Sequence, residues 1–369
     1  MSPQMIRLAA IALLGRADTP TDAVEEYCRC LGEALRTQGI RLAIERVPWE
    51  ERGWRRALGS LRRRAKTWKG LWVITQYTAL AWSSRGFPLR FPRVLEILKR
   101  AGVRVAVVYH DVEPFAGTRL IDLLRRHAQL RAMRHAMDLC DMAVFTVPME
   151  KLSWMQPQYP HSVFIPVGAN LRAVGGAVSR TSIASGGKLN IGVFSVTGGS
   201  ATQREIGEIV EAVRFASLHV RNLKLTVLGR NSKETESEFR KQLDGAPVEI
   251  QVLGLLSNEE VARTLSSCDV LLFVRGPIST RRGSAIAGIA CGLPVIAAEG
   301  SETSSLIAEA GVAFYSPLKK SDLGTVLLHV LQDEHYRASL AQRSWIAQQR
   351  YFSWTVIASR YAEFLEKKS

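Results

Sequence analysis

The sequence has 369 residues, 47% hydrophobic and 22% charged, with a formal net charge of +15. This length accommodates two ordinary domains, and this composition excludes a disordered or fibrous chain. No apolar run reaches the ~18–20 residues of a membrane span, and the N-terminal apolar run is typical of a strand and not of a signal peptide. The five cysteines form no CxxC pair, which favours a reducing cytosol over a disulfide or zinc framework.

The first half of the chain alternates predicted strands with predicted helices. It also carries most of the positive charge, because residues 1–170 hold 26 Lys+Arg against 15 Asp+Glu. Apolar runs predict buried strands, and a helix over about Asp22–Gln38 follows the first of them with Asp22 as its cap. The predicted strands are Met5–Leu14, Arg41–Val47, Leu71–Gln76, Val103–Tyr109, Met142–Thr146 and Val163–Pro166, and the other helices are Pro92–Ala101 and Arg119–Asp138.

Residues 52–69 form a segment with eight basic residues and no acidic one. Its apolar residues recur at helical spacing, which predicts a helix docked on the sheet with arginines on its other faces. The docked face consists of Trp54, Leu58, Leu61, Ala65 and Trp68, and the arginines include Arg62, Arg63 and Arg64. A solvated basic face is one interpretation. The favoured one adds attraction to an anionic membrane surface with Trp54 and Trp68 at the interface. Nucleic acid is disfavoured as a partner because neither an aromatic-rich surface for base recognition nor a helix-turn-helix signature accompanies the positive charge.

His110 and Asp111 directly follow the strand Val103–Tyr109. Open α/β sheets bind ligands beyond the carboxyl ends of their strands, so this pair is a candidate for catalysis. The alternative is a loop histidine with a capping aspartate.

Residues 172–188 are rich in Gly, Ser and Ala and read as an interdomain linker. A second series of strands and helices follows it. Ser257 and Glu260 predict a capping box, and a helix is predicted near Glu302–Ala310. The predicted strands are Leu189–Val196, Lys224–Leu228, Val248–Leu253, Asp269–Val274, Val295–Ala298 and Val312–Tyr315.

Two glycine-containing turns in this second half could bind phosphate. In the first, Gly198 and Gly199 precede a helix, although they do not form a GxGxxG pattern. In the second, Arg281 and Arg282 precede a small-residue helix. Its start is marked by Gly283 and Ser284, and free N–H groups, the helix dipole and guanidinium groups would together favour a diphosphate there. The alternative is an ordinary turn with a solvated arginine pair.

Two such halves predict two doubly wound, Rossmann-like sheets that face a central cleft, with a ligand between them. The chain then resembles the group 1 retaining glycosyltransferases of the GT-B fold, the family of glycogen synthases and bacterial mannosyltransferases. The resemblance covers nearly the whole chain. The residues that carry it are Gln76-Tyr77, His110-Asp111, Ile165–Asn170, Leu228-Gly229, Gly254, Ala290–Val295 and Phe352–Trp354.

The resemblance implies a nucleotide-sugar donor bound by the second domain, an acceptor bound by the first, retention of anomeric configuration and no metal. The sequence departs from the family where two glutamates are usual, because Ser279 and Ala287 occupy those positions. The usual phosphate-binding basic residues are also missing after the strand Leu189–Val196, where Arg204 is the nearest candidate. We therefore expect Arg281 and Arg282 to bind the diphosphate, with Ser279 and Ser284 supplying hydroxyls.

The resulting expectation is a hexosyltransferase that uses a UDP- or GDP-linked donor, has no further cofactor, and acts on a polysaccharide or lipid-linked glycan at the cytosolic face of the membrane. Gly198, Gly199, Arg204 and Arg230 are further expected donor contacts. The expected domains are 1–171, 189–350 and a C-terminal helix, 351–369, packed toward the first domain. The alternatives are a catalytically silent subunit, a GT-B epimerase or hydrolase, and a nucleic-acid binder.

Overall fold

The computed structural model describes residues 8–155, 159, 161–171, 187–319 and 322–367. The chain divides into two units, one formed by Met1–Pro166 with Trp354–Ser369 and the other by Val167–Ser353. Each unit contains a six-stranded sheet in which every strand pair is parallel. Parallel pairs need crossover connections, and the alternation of strands and helices along the chain supplies them. The predicted α/β class with two Rossmann-like sheets is confirmed.

The first unit has the strand order β2-β1-β3-β4-β5-β6. Its elements are β1 (Leu8–Leu14), α1 (Ala23–Arg36), β2 (Ile40–Arg46), α2 (Trp49–Thr67), β3 (Trp72–Tyr77), α3 (Phe91–Arg100), β4 (Arg104–Tyr109), α4 (Leu120–Leu139), β5 (Met142–Phe145) and β6 (Ser162–Phe164). The strand β4 is buried from Val105 to Tyr109, as expected for a parallel strand covered on both faces. The predicted cap of the first helix is confirmed, because the Asp22 carboxylate accepts from the N–H groups of Val24 and Glu25.

The second unit has the strand order β12-β11-β10-β7-β8-β9. Its elements are β7 (Leu189–Phe194), α5 (Thr202–Ser217), β8 (Leu223–Leu228), α6 (Glu236–Gln242), β9 (Val248–Gly254), α7 (Asn258–Ser266), β10 (Val270–Phe273), α8 (Gly283–Ala290), β11 (Val295–Ala298), α9 (Ser305–Glu309), β12 (Val312–Tyr315), α10 (Asp322–Gln332) and α11 (Glu334–Ala347). The predicted capping box of Ser257 and Glu260 is confirmed. The helix predicted near Glu302–Ala310 begins only at Ser305, so Glu302 lies in the loop after β11.

The last helix, α12 (Trp354–Leu365), belongs to the first unit. It packs on α1, where the hydroxyls of Tyr27 and Tyr361 are 2.9 Å apart. The Trp72 indole N–H of β3 also donates to the Leu365 carbonyl at 3.1 Å. These buried hydrogen bonds tie the C-terminal helix to the sheet of the first unit.

The predicted linker, 172–188, lies outside the described residues except for its last two. Among the described helices, none is long and apolar enough to cross a membrane. All five cysteines are free thiols.

Candidate active site

The second sheet reverses its strand order between β7 and β10, and a partly buried arginine lies at that edge. One direction of winding leads from β7 to β8 and β9, and the other leads from β10 to β11 and β12. Doubly wound sheets bind ligands in the crevice beyond the carboxyl ends of two such strands. Arg275, two residues past β10, donates from Nε to the hydroxyl of Thr197, three residues past β7, at 3.2 Å. Arg275 therefore bridges the ends of the two central strands.

The charge of Arg275 is incompletely compensated. Within the described part of the chain, its one hydrogen bond goes to Thr197, and no carboxylate forms an ion pair with it. Burial lowers the pKa of Arg275, the positive charge of Arg230 acts in the same direction, and the negative charge of Glu205 opposes both. A negative charge in this crevice would therefore be attracted by two guanidinium groups and repelled by one carboxylate.

The glycine turn after β7 lies at the same edge. The Thr197 N–H donates to the buried Glu205 carboxylate at 2.7 Å, so that donor is already used. Gly199 has φ 76°, a conformation that favours glycine, and a Cβ at Gly198 would lie 3.2 Å from the Asn231 side chain. No side chain from the described residues caps the N-terminus of α5. The backbone N–H groups of this turn and of the first turn of α5 can therefore come close to an anion.

The two other basic residues predicted near this turn occupy different environments. Arg230 follows β8, the neighbour of β7, and is half-buried close to Arg275. Arg204 lies on α5 with its side chain 65% exposed and its Nε 3.6 Å from Glu208. Arg230 therefore adds to the positive charge at the edge of the sheet, whereas Arg204 is part of a solvent-screened surface pair.

Arg281 is engaged by a carboxylate that the sequence did not single out. Its Nε and Nη2 donate to the two oxygens of Glu302 at 2.7 and 2.8 Å, and the fully buried Ser279 donates its hydroxyl to Glu302 at 3.1 Å. Burial raises the pKa of Glu302, but the hydrogen bonds from Arg281 and Ser279 outweigh burial and keep that pKa below its ordinary value. In this structure Arg281 and Ser279 hold a carboxylate, and the expected roles of Arg281 as a diphosphate ligand and of Ser279 as a hydroxyl donor to the substrate remain predictions.

The start of α8 remains accessible. Arg282 is its N-cap residue, Gly283 is exposed and Ser284 is half-buried. A Cβ on Gly276 would lie 3.9 Å from Nη2 of Arg282, which places that guanidinium close to the turn that follows Arg275. Donor contacts by these three residues remain a prediction.

In the first unit, His110 lies where β4 ends, between two residues that fix its ring. Its Nε2 is 2.8 Å from the Gln76 side-chain oxygen of β3, and the ring of Tyr27 packs edge-on against it at 5.1 Å between centroids. The Gln76 amide nitrogen donates to the Ile74 carbonyl at 3.3 Å, which orients its oxygen toward His110. In this contact Nε2–H of His110 is the donor, because the side-chain oxygen of Gln76 can only accept.

Asp111 connects two loops at the same edge. Its Oδ2 accepts from the Ala79 N–H at 2.7 Å, so it joins the turn after β4 to the turn after β3. It also lines a cavity of about 230 Å³ at the ends of β1 and β3, where the strand order of the first sheet reverses. The lining includes Arg16, Asp18, Asp22, Gln76 and Thr78. This lining of carboxylates, an amide and a hydroxyl can exchange hydrogen bonds with a polyhydroxylated ligand.

The basic helix α2 is docked on the sheet as predicted, but its tryptophans are not presented to solvent. Trp68 is 7% exposed, and Trp54 is half-buried and stacks on Trp49 at 5.0 Å. Arg64 is bonded to Glu45 and donates to the Arg46 carbonyl at 2.8 Å. Trp68 and Arg64 therefore stabilise the docked helix, and a membrane contact by these two residues remains a prediction. Of the expected contacts in α2, Arg62 and Arg63 are the exposed ones.

Sequence reasoning missed Arg275, Glu302 and Gln76 as site residues. Of these three residues, only Gln76 belongs to a motif that the sequence identifies. The position of Arg275 directly past a buried strand was the available signal, because such positions line the ligand-binding edge of a parallel sheet. No local sequence pattern indicates a role for Glu302, since its partners Ser279 and Arg281 lie more than 20 residues earlier in the chain.

No family model and no curated protein matches the sequence. Solved structures do match over nearly the full length. HepE from Anabaena, in complex with UDP and glucose, is 15% identical with a TM-score of 0.67, over 98% of this chain and 100% of HepE. Sucrose-phosphate synthase from Thermosynechococcus elongatus is 17% identical with a TM-score of 0.69, over 98% of both chains. WaaG, a glycosyltransferase involved in lipopolysaccharide biosynthesis, is 12% identical with a TM-score of 0.63, over 98% of this chain and 100% of WaaG. At such identities the likeness shows a shared fold, that of the GT-B glycosyltransferases.

Proposed function

We propose that this protein is a glycosyltransferase that moves a hexose from a nucleotide-sugar donor, with retention of configuration, to a polysaccharide or lipid-linked glycan. The donor is UDP- or GDP-linked, no metal ion or further cofactor takes part, and the reaction takes place at the cytosolic face of the cell membrane. The observation that carries this proposal is Arg275, an incompletely compensated guanidinium at the point where the second sheet reverses its strand order.

The leaving group explains why such a charge is needed. Departure of a nucleoside diphosphate builds negative charge on phosphate oxygens, and fixed positive groups stabilise that charge without reorganising. Arg275 and Arg230 supply the charge, and the turn at Gly198 and Gly199 with the first turn of α5 supplies N–H groups. Arg282 lies close enough to the Gly276 turn to join them.

Glu302 acts on the sugar in this proposal. Its carboxylate accepts a hydrogen bond from Ser279. Ser279 occupies the position at which the family that this chain resembles has a glutamate that contacts sugar hydroxyls. A carboxylate that Arg281 and Ser279 keep ionised accepts hydrogen bonds from hydroxyl groups strongly. Arg281 is then a positioning residue for Glu302.

The first unit binds the acceptor in this proposal. The cavity at the ends of β1 and β3 offers carboxylates and an amide to glycan hydroxyls. His110, oriented by Gln76, is the residue that accepts the proton of the attacking hydroxyl in this proposal. The solved HepE complexes contain UDP, glucose and UDP-glucose, which makes UDP the first nucleotide to test.

Calorimetric titration with UDP, GDP and ADP tests the donor site. We expect one nucleotide to saturate, and Arg275→Gln to weaken its binding roughly tenfold to a hundredfold, because a hydrogen bond to a charged group contributes about 1.5–3 kcal/mol. The matched control is Arg221→Gln, an exposed arginine just before the amino end of β8, which we expect to bind like the wild type. Wild-type affinity in Arg275→Gln would refute the placement of the diphosphate.

A catalytically silent GT-B subunit that binds a ligand or a partner transferase is the second candidate. It is favoured by the residues at the two glutamate positions, Ser279 and Ala287, since both are buried and neither is acidic. Nucleoside diphosphate release from the bound donor, with membrane extract as the source of acceptor, separates the two candidates. Nucleotide binding without any release would favour the silent subunit, and no nucleotide binding at all would refute the proposed transferase.

A further inference from the structure

The first turns of α4 show an inverted pattern, with apolar side chains outside and polar ones inside. Four of the first five residues of α4 are aliphatic, and all four are exposed, with Leu120 82% and Leu124 63% exposed. The buried positions of the first three turns include Asp122 and Gln129. The exposed set is Leu120, Ile121, Leu123 and Leu124, and we call it, together with Phe115, the α4 patch. Several adjacent exposed aliphatic side chains usually mark an interaction site.

The polar interior of this turn holds the patch in a fixed geometry. Asp122 accepts from Arg119 at 3.1 Å and from Arg125 at 2.9 Å. Gln129 accepts from the Phe115 N–H at 2.7 Å and donates to the Gly86 carbonyl at 2.9 Å. These bonds attach both the loop before α4 and the loop that contains Gly86 to the helix. The patch is therefore supported by buried hydrogen bonds, which also explains why the leucines face outward.

The Arg125 guanidinium strengthens the same arrangement. Its Nε donates to the Arg85 carbonyl at 3.1 Å, and the group lies over the rings of Phe87 and Phe115 at 5.7 and 4.9 Å. A Cβ on Gly117 would come within 2.5 Å of Asp122, so the loop that carries Phe115 runs directly along the first turn. Phe115, 43% exposed, thus adds an aromatic ring to the aliphatic patch.

The border of the patch is basic. Between residue 115 and the end of α4 there are five arginines and two acidic residues, the buried Asp122 and the exposed Asp138 in the last turn of the helix. The stripe that begins with Leu120 and Leu124 continues along the helix with two exposed arginines, Arg131 and Arg134. Two more exposed arginines, Arg119 and Arg126, lie beside the leucines. The surface is therefore apolar at the start of α4 and cationic along its continuation as far as Arg134.

We propose that the α4 patch docks on an anionic lipid surface, with the leucines in the boundary between headgroups and acyl chains and the arginines on lipid phosphates. Apolar residues bordered by arginines complement such a surface, and the exposed acidic residue of α4, Asp138, lies in the last turn of the helix, away from the leucines. A second copy of the chain is a poorer partner, because a two-fold contact would bring identical arginine sets together. The proposal gives the membrane contact of the proposed function a surface other than α2.

The test is flotation of the protein with vesicles of phosphatidylcholine alone or with added phosphatidylglycerol. Because it uses neither nucleotide nor acceptor, its outcome is independent of whether the donor site proves correct. We expect binding to the anionic vesicles only. Leu120→Gln/Leu124→Gln should weaken it at least about tenfold, since each buried leucine contributes strongly to partitioning. Arg126→Gln/Arg131→Gln should weaken it about fivefold per arginine.

Two controls sharpen the result. Leu318→Gln changes a leucine that is 95% exposed in the second unit, and Arg62→Gln/Arg63→Gln changes exposed arginines of α2. Both should leave vesicle binding near the wild-type level. Absence of wild-type binding, or equal losses in the control and α4 variants, would overturn the proposal. It would also be overturned if Leu120→Gln/Leu124→Gln dissociated a dimer seen by sedimentation and left vesicle binding unchanged, since the patch would then be a protein interface.

Discussion

The pair formed by Glu302 and Arg281 gives the sharpest prediction for the second unit. We expect Glu302→Gln to destabilise the protein at neutral pH, because the glutamine cannot balance the guanidinium that Glu302 binds through both of its oxygens. The Ser279 hydroxyl keeps a partner, since the glutamine oxygen can still accept from it. The loss is therefore mainly electrostatic.

The exposure of the two side chains sets the size of the effect. Removing one partner of a fully buried ion pair costs about 3–5 kcal/mol. The side chains of Arg281 and Glu302 are 20% and 16% exposed, so solvent screens part of the interaction and about 1–3 kcal/mol is expected. For a domain of this size, each kcal/mol corresponds to about 2–4 °C in Tm, so Tm should fall by about 2–12 °C.

Urea denaturation at several pH values provides the assay. The pKa of Glu302 is lowered in the folded protein, so the pair contributes stability at pH above the ordinary glutamate value of about 4.3 and loses it as the pH falls through the lowered pKa. The difference between wild type and Glu302→Gln should thus be largest near pH 7 and shrink on acidification. Equal stability at pH 7, or a difference that grows toward acid, would refute the reasoning.

The further predictions concern a cap, two glycines and the acceptor side. Asp22→Ala should lower the free energy of unfolding by about 1–2 kcal/mol in thermal melts, because Asp22 caps α1 and also binds Arg46 at 2.6 Å. Gly311→Ala should prevent stable folding in expression and melting tests, since its Cβ would lie 1.8 Å from the Leu340 carbonyl oxygen. A Cβ at Gly207 would have no atom within 4 Å, so Gly207→Ala should stabilise α5 by about 0.5–1 kcal/mol. His110→Ala should lower sugar transfer by 10²–10⁴-fold and leave nucleotide affinity unchanged in calorimetry, and an unchanged transfer rate would remove His110 from the mechanism.

The sequence predicts much of the fold because the signals for its elements are local. Buried apolar runs identify the parallel strands, and side chains such as Asp22 and Ser257 cap helices through atoms two or three residues away. The position of His110 past β4 follows from the same pattern. Each of these features can be read within a window of about ten residues.

The parts of the site that the sequence could not predict depend on partners distant in the chain. Glu302 reads as the beginning of a helix, yet it is held in a loop by Arg281 and Ser279 from the preceding strand connection. The exposure of Leu120 and Leu124 also depends on residues distant in the chain. The face of α4 that packs inward is set by the hydrogen bonds of Gln129 to the loops that contain Phe115 and Gly86. Helical spacing shows which residues share a face but not which face is buried.

The arginines of the second unit differ in how far their partners compensate their charge. A free carboxylate at Glu302 would repel a diphosphate, with a Coulomb energy of about 4 kcal/mol at 4 Å and an effective dielectric constant of about 20. The bidentate contact from Arg281 neutralises that carboxylate while leaving it able to accept hydrogen bonds from hydroxyls. Arg275, whose one hydrogen bond among the described residues is to a hydroxyl, keeps its charge for an anion. The proposed sugar-binding carboxylate and the proposed phosphate-binding cation can thus occupy the same edge of one sheet.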